Sequence, residues 1–250
     1  MSDWRHPGRS GAALYALLAA LIGGVVTVIS RVQVARVRGG AEVVRALPEG
    51  GVIVISNHTS YADGVLLALV CRRLGRSARL LATAGLFRAP LLGPVLRKLG
   101  FIPVDRGAAD ASDALAPAAE ALAAGEVIAL FPEGRLTRDP DHWPEKAKTG
   151  AVRLALRTGA PIVPVALEGA HRVIGKKRLL VGLVKNVILR PKVHTAVGAP
   201  IDVRAMLRGD ETPDEIRRLT DEVMTRLIDL VEQLRGERAP AGSGVERAPD

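Results

Sequence analysis

The chain is poor in aromatic residues and almost free of cysteine. Phe, Trp and Tyr together make up 3% of its 250 residues, and Cys71 is its only cysteine. A single cysteine excludes an intrachain disulfide and any C-x-x-C redox or zinc motif. So few aromatics argue against single-strand nucleic-acid binding, which stacks bases on aromatic platforms. No G-x-S-x-G elbow occurs, so an α/β-hydrolase has no support. His6, His142, His171 and His194 lack ligand spacing to one another, to cysteine or to carboxylates, and no metal is implied. Gly169–Lys177, GAHRVIGKK, superficially suggests a P-loop. It has five residues between its glycines, however, and Lys177 stands where Ser or Thr is needed.

What is present is positive charge and a long apolar run. The net charge is +9 and the pI is near 10.4. Such a surface attracts acidic lipids, phosphorylated small molecules or nucleic acid. Gly11 to Ser30 carries no charge at all. As one helix, a run of that length spans about 30 Å, roughly the bilayer core. Arg5 and Arg9 precede it, and Arg31, Arg36, Arg38 and Arg45 follow. If the run spans, the heavier basic flank places the body on the cytoplasmic face of the membrane. Gly23-Gly24 interrupts the run, so a pair of short helices lying in the interface is the alternative to a single membrane helix. A third reading packs an apolar helix on the protein's own core. No A-x-A site follows, which argues against a cleaved signal peptide. Residues 1–38 therefore read as an N-terminal membrane-associating segment. An anionic membrane explains charge and apolar run together, and no nucleic-acid partner is expected.

Beyond it, short apolar strands alternate with helices. Strands are expected at Val52–Ile55, Ala78–Ala82, Phe101–Val104, Val127–Phe131, Ile162–Leu167 and Val187–Val197. Helices are expected at Asp63–Leu74, Leu86–Leu99 (bent or divided by Pro90 and Pro94), Ala108–Ala124, Lys148–Thr158 and Pro213–Leu234. Thr212 should cap the last, with Pro213 at its first position. This predicts an α/β fold: a covered, mixed or largely parallel sheet with helices on both faces. Residues 236–250, rich in Gly, Ala, Pro and charge, read as a disordered tail. Cys71 follows an apolar run and reads as core. In such folds ligands gather beyond the strand ends, which places the chemistry just after Ile55, Val104, Phe131 and Leu167.

After Ile55 comes Ser56-Asn57-His58-Thr59-Ser60-Tyr61-Ala62-Asp63. Five steps along a regular helix rotate about 140°, so His58 and Asp63 share no helical face. They meet only if His58 lies in a loop and Asp63 in the first helical turn, where the dipole favours a carboxylate. An imidazole whose Nδ1–H is held by a carboxylate suits general-base catalysis. A plain helix-capping loop is the competing reading. After Val104 comes Asp105-Arg106-Gly107, and after Phe131 comes Pro132-Glu133-Gly134-Arg135-Leu136-Thr137-Arg138. Each puts arginine beside glycine, as phosphate binding favours and as a solvated turn also allows.

Taken together, four blocks resemble the glycerolipid acyltransferase family, which includes bacterial 1-acylglycerol-3-phosphate acyltransferases. They are NHTSYAD at 57–63, GFIPVDRG at 100–107, FPEGRLTR at 131–138 and APIVPVALEG at 160–169. The resemblance covers roughly 43–200 and makes 39–235 the acyltransferase domain. It implies transfer of a fatty acyl group from a thioester to the free hydroxyl of lysophosphatidic acid, giving phosphatidic acid. His58 would be the base and Asp63 its orienting partner. Arg106, Glu133, Gly134, Arg135 and Thr137 would serve the acceptor. No cofactor is implied beyond an acyl-CoA or acyl-carrier-protein thioester as co-substrate. Ser60 matches a family position and equally well caps the helix. Two departures stand out. The arginine of the third block comes one place early, as in relatives acting on head-group lysophospholipids. Thr83 and Gly85 stand where a lysine and an acidic residue are common. Other acceptors (glycerol 3-phosphate, a head-group lysophospholipid, a glycolipid) are the alternative, and a non-catalytic lipid-binding protein at the membrane surface is the remote one.

Overall fold

The computed structural model describes residues 8–29, 31–34, 46–104, 115–173, 189, 191–240 and 242–244. Arg106 and the basic run 176–178 lie outside these residues, as do residues 241 and 245–250 of the tail and the beginning of the strand expected from Val187.

Seven strands form one sheet. They are β1 (Arg31–Val34), β2 (Val52–Ser56), β3 (Ala78–Thr83), β4 (Ile102–Val104), β5 (Val127–Leu130), β6 (Ile162–Glu168) and β7 (Lys192–Val197), in the spatial order β1-β7-β6-β2-β5-β3-β4. Every pairing is parallel except β6 with β7. The sheet is therefore mixed, with β7 and β1 running against the rest. The strand Arg31–Val34, within the stretch read above as the N-terminal segment, is the sheet's far edge beside β7.

β2 lies centrally between β6 and β5, and Val52 to Ile55 are fully buried. Period-two alternation sends Ile53 and Ile55 into one core cluster and Val52 and Val54 into the other. The first cluster is completed by α4 (Ala116–Ala123), α5 (Gly150–Thr158) and α7 (Pro213–Arg235). The second is completed by α2 (Asp63–Arg73) and the short α6 (Ala170–Val173). Each fully buried Ile or Leu contributes about 1.5–3 kcal/mol by leaving water. β2 therefore holds the residue that follows it on a rigid base.

The helix boundaries follow local chemistry. Thr212 caps α7 by accepting from Glu215 N, with Pro213 first in the helix. Gly159, at φ 74°, ends α5. Pro90 divides the segment expected as one helix: residues 84–88 form a 3₁₀ turn and α3 begins only at Leu92, ending at Lys98.

At the N-terminus one continuous helix, α1 (Gly8–Ile29), passes through Gly23-Gly24, so the helix-pair alternative is not what forms. Gly23 faces α2, where a Cβ would make an ordinary contact with Leu69 Cδ2 at 3.5 Å. Tyr15 is buried, donates to Ala78 O at 3.2 Å, and has its hydroxyl pushed up to about 12 by burial. Leu17 and Leu21 stay exposed. Among the described residues no helix is long and apolar enough to cross a membrane.

Candidate active site

β2 pairs with β6 as far as Ser56 opposite Val165. The next residue, Asn57, leaves the strand, and its side chain continues the pairing. Its Nδ2 donates to Leu167 O and its Oδ1 accepts from Leu167 N, both at 2.8 Å. An amide side chain carries one donor and one acceptor side by side, as a backbone does. The start of the loop is thereby pinned to β6.

His58 follows in the loop, and Asp63 is the first residue of α2. The two meet across that junction as the spacing requires: His58 Nδ1 lies 3.1 Å from Asp63 Oδ2. The same oxygen accepts from Thr59 N at 2.6 Å and Ser60 N at 2.7 Å, so the loop wraps its own carboxylate. Ser60 Oγ accepts from Ala62 N at 3.0 Å, which shapes the turn into the helix. Asp63 is fully buried. Burial pushes its carboxyl up, and the hydrogen bonds from His58, Ser60 and Thr59 pull it back. The His58 side chain keeps 18% of its surface open. One face of its ring stacks on Phe131, centroids 4.0 Å apart and 14° from parallel. With Nδ1 on the carboxylate, Nε2 is the nitrogen left to take a proton from a substrate.

The segment after β5 holds the backbone of His58 from behind. Glu133 Oε1 accepts from His58 N at 3.0 Å, and Thr137 N donates to His58 O at 2.7 Å. The other oxygen of Glu133 accepts from Glu145 N at 3.0 Å. Glu133 is buried, and that burial pushes its carboxyl up to about 7 against the two N–H bonds. Gly134 turns the chain at φ 72°, a conformation costly to any residue with a Cβ. Thr137, buried, donates its hydroxyl proton to Trp143 O at 2.8 Å and accepts from Asp139 N at 3.2 Å.

Arg135 is bidentate on Glu145, Nη1 to Oε2 at 2.7 Å and Nη2 to Oε1 at 3.0 Å. Arg138 N donates to the same carboxylate at 2.8 Å. Burial raises the Glu145 carboxyl, but the Arg138 N–H and the Arg135 guanidinium outweigh it and hold it below the usual range.

Glu133, Arg135 and Thr137, implied above as acceptor contacts, are thus engaged within the protein and shape the loop behind His58. Arg106 lies outside the described residues. The sequence reading did not single out Phe131 as a wall for the imidazole, the Asn57 clamp on β6, or Glu145. Asn57 and Phe131 lie inside the quoted blocks, whereas Glu145 has no local signal. A cavity of about 270 Å³, lined by Arg72, Gly75, Arg76 and Ser77, lies at the opposite end of α2 from Asp63. Among the described residues no three His, Cys, Asp or Glu side chains gather to hold a metal ion.

A family profile described as Acyltransferase matches residues 35–168. The chain is 32% identical over 162 residues to a 1-acyl-sn-glycerol-3-phosphate acyltransferase of Bacillus subtilis, covering 64% of this chain and 76% of that one. It is 30% identical over 154 residues to a chloroplast protein of the same name from Arabidopsis thaliana, covering 60% of this chain and 41% of that one. The chain spans only about a third to two fifths of the plant relatives it matches, from Brassica napus and Arabidopsis thaliana. The crystal structure of the 1-acyl-sn-glycerophosphate acyltransferase from Thermotoga maritima superposes with a TM-score of 0.62 at 22% identity. That alignment covers 94% of this chain and 85% of that one, so the two share a fold. With more than half of its length matching the profile, the chain belongs to the Acyltransferase family.

Proposed function

We propose that the chain moves a fatty acyl group from an acyl thioester to the free hydroxyl of 1-acylglycerol 3-phosphate, giving phosphatidic acid. The observation that carries this is the His58–Asp63 pair, a partly open imidazole held by a buried carboxylate beyond a central parallel strand. The names of the Bacillus and plant relatives support the acceptor.

In this reading His58 Nε2 takes the proton of the acceptor hydroxyl while its oxygen attacks the thioester carbonyl. Asp63 steadies the imidazolium that forms. Collapse of the tetrahedral intermediate expels the thiol, which leaves with the proton from His58. No acyl-enzyme is required. Cys71 fits that: it is fully buried and its thiol is pushed up to about 12 by burial, so it supplies no thiolate. The co-substrate is acyl-CoA or acyl carrier protein, with no further cofactor. The +9 charge and the exposed Leu17 and Leu21 support work at an anionic membrane surface on the cytoplasmic face.

The test uses purified full-length protein, a long-chain acyl-CoA and lysophosphatidic acid. Thiol release should require the acceptor and should collapse in His58→Ala. Release without acceptor, or a His58→Ala rate near that of the parent, refutes the mechanism. One observation favours a second reading. Arg135 is held by Glu145, which weakens the case for a bare phosphate monoester and keeps head-group lysophospholipids as acceptors; a panel of acceptors separates the two.

A further inference from the structure

We propose that the Lys148 ammonium, seated on the Gly134 turn, receives the phosphate of the acceptor, the part the resemblance assigned to Arg135. This rests on the acyl-transfer reading above.

The negative half of the argument is Arg135. Both of its terminal nitrogens are committed to Glu145, and that carboxylate is also held by Arg138 N. A phosphate arriving there must break a bidentate pair and then lie beside a displaced carboxylate. Like charges at contact distance repel strongly in a partly buried site.

The positive half is the position of Lys148. Its backbone N donates to Pro132 O at 2.9 Å, which anchors it beside the Pro132-Glu133-Gly134 turn. Its stem lies where a side chain on Gly134 would be. A Cβ built there would meet Lys148 Cε at 3.3 Å, Cδ at 3.4 Å and Nζ at 3.6 Å. The residue before Gly134 is Glu133, whose Oε1 holds His58 N. The ammonium is thus carried on the turn that directly supports the catalytic loop. Lys148 is exposed and makes no ion pair among the described residues. An ammonium on a flexible stem meets phosphate as a point charge and needs no fork geometry. The glycine therefore has two reasons to be there: its φ, and the space that Lys148 fills.

The experiment compares two acceptors, lysophosphatidic acid and the neutral monoacylglycerol, with one acyl-CoA and the full chain. Lys148→Met should raise KM for lysophosphatidic acid about threefold to fivefold, as expected for loss of one exposed charge contact, with little change in kcat. KM for monoacylglycerol should not move. Lys148→Arg should restore most of the loss, and Lys146→Met, an exposed control two residues away, should change nothing. The proposal is overturned if Lys148→Met leaves KM unchanged or raises it equally for both acceptors. It is also overturned if the shift appears in Arg138→Met instead. Should the parent protein turn over neither acceptor, the acyl-transfer reading fails separately. Acetylation by acetic anhydride then decides the inference: lysophosphatidic acid should shield Lys148 and not Lys146, and equal labelling of both refutes it.

Discussion

Two segments leave adjacent parallel strands at the same edge of the sheet, and they are built in opposite ways. The loop after β2 runs from Asn57 to Ala62 and organises itself. Asp63 is wrapped by the N–H groups of Thr59 and Ser60 and meets the ring of His58, all within six residues. The segment after β5 runs from Phe131 to Thr149 before α5 begins. It is held by side chains reaching across it: Glu133 to Glu145 N, Arg135 to Glu145, Thr137 to Trp143. The first segment carries the reacting group. The second supplies its backing, through Glu133, Thr137 N and the ring of Phe131. A short polar loop can orient one side chain, but keeping that loop in place takes a second, larger structure.

This contrast can be broken experimentally, beginning with the largest effect. His58→Ala should lower acceptor-dependent thiol release by about 10⁴-fold, the upper range for a general base, without lowering the melting temperature. Asp63→Asn should lower kcat by about 10²–10³-fold: its amide oxygen can keep the Thr59 and Ser60 N–H bonds, but a neutral group no longer steadies the imidazolium of His58. Circular dichroism should show the fold of both variants intact.

Glu133→Gln tests the second segment. A glutamine has one acceptor oxygen for two N–H groups, so one buried donor loses its partner at about 1–3 kcal/mol. We expect a moderate fall in kcat together with lower stability, a combination the first loop should not show. The pH dependence gives a sharper sign. The Glu133 carboxyl lies near 7 in the folded protein against an ordinary 4.5. Its contribution to stability is therefore fully present below about 4.5 and is lost as pH rises through about 7. Denaturant melts across that window should show a steeper decline in the parent than in Glu133→Gln, where the raised Asp63 carboxyl still contributes one of the same sign.

Thr137→Val removes the hydroxyl bonded to Trp143 O and Asp139 N at nearly constant volume, and should cost about 1–2 kcal/mol. If it moves kcat as much as Asp63→Asn does, the division between reacting loop and supporting segment is wrong. Cys71→Ala should leave turnover unchanged, since the thiol lies on the buried face of α2, packed into the core. Loss of acyl transfer in that variant without unfolding would show that the thiol takes part.

The two segments also differ in how readable they were. The His58–Asp63 pairing was legible because its requirement is local: a loop followed by a helix start, which Val52–Ile55 and the apolar face of α2 announce. The role of Glu133 was not legible as positioning, because its partners stand at 58 and 145, far from it along the chain. Arg135 read as a free phosphate ligand because Glu145, ten residues on, carries no mark as its partner. Lys148 ended up on Gly134 for the same reason. The strand Arg31–Val34 was missed because four residues, RVQV, following an apolar run carry no turn signal of their own; its pairing with β7 is what defines it.

The sequence by itself determined the alternation of apolar strands and amphipathic helices, the helix caps at Thr212 and Gly159, and the condition under which His58 can meet Asp63, a loop running into a helix start. Each depends on periodicity, backbone preference or contacts a few residues apart, which a chain carries with it wherever it folds. Only the tertiary structure decided the strand order, the reversal of β7 and β1, and which charges near the site are committed. Those outcomes depend on which distant groups burial brings within hydrogen-bonding reach. A buried carboxylate such as Glu133 takes whatever donors the packing delivers, here His58 N and Glu145 N.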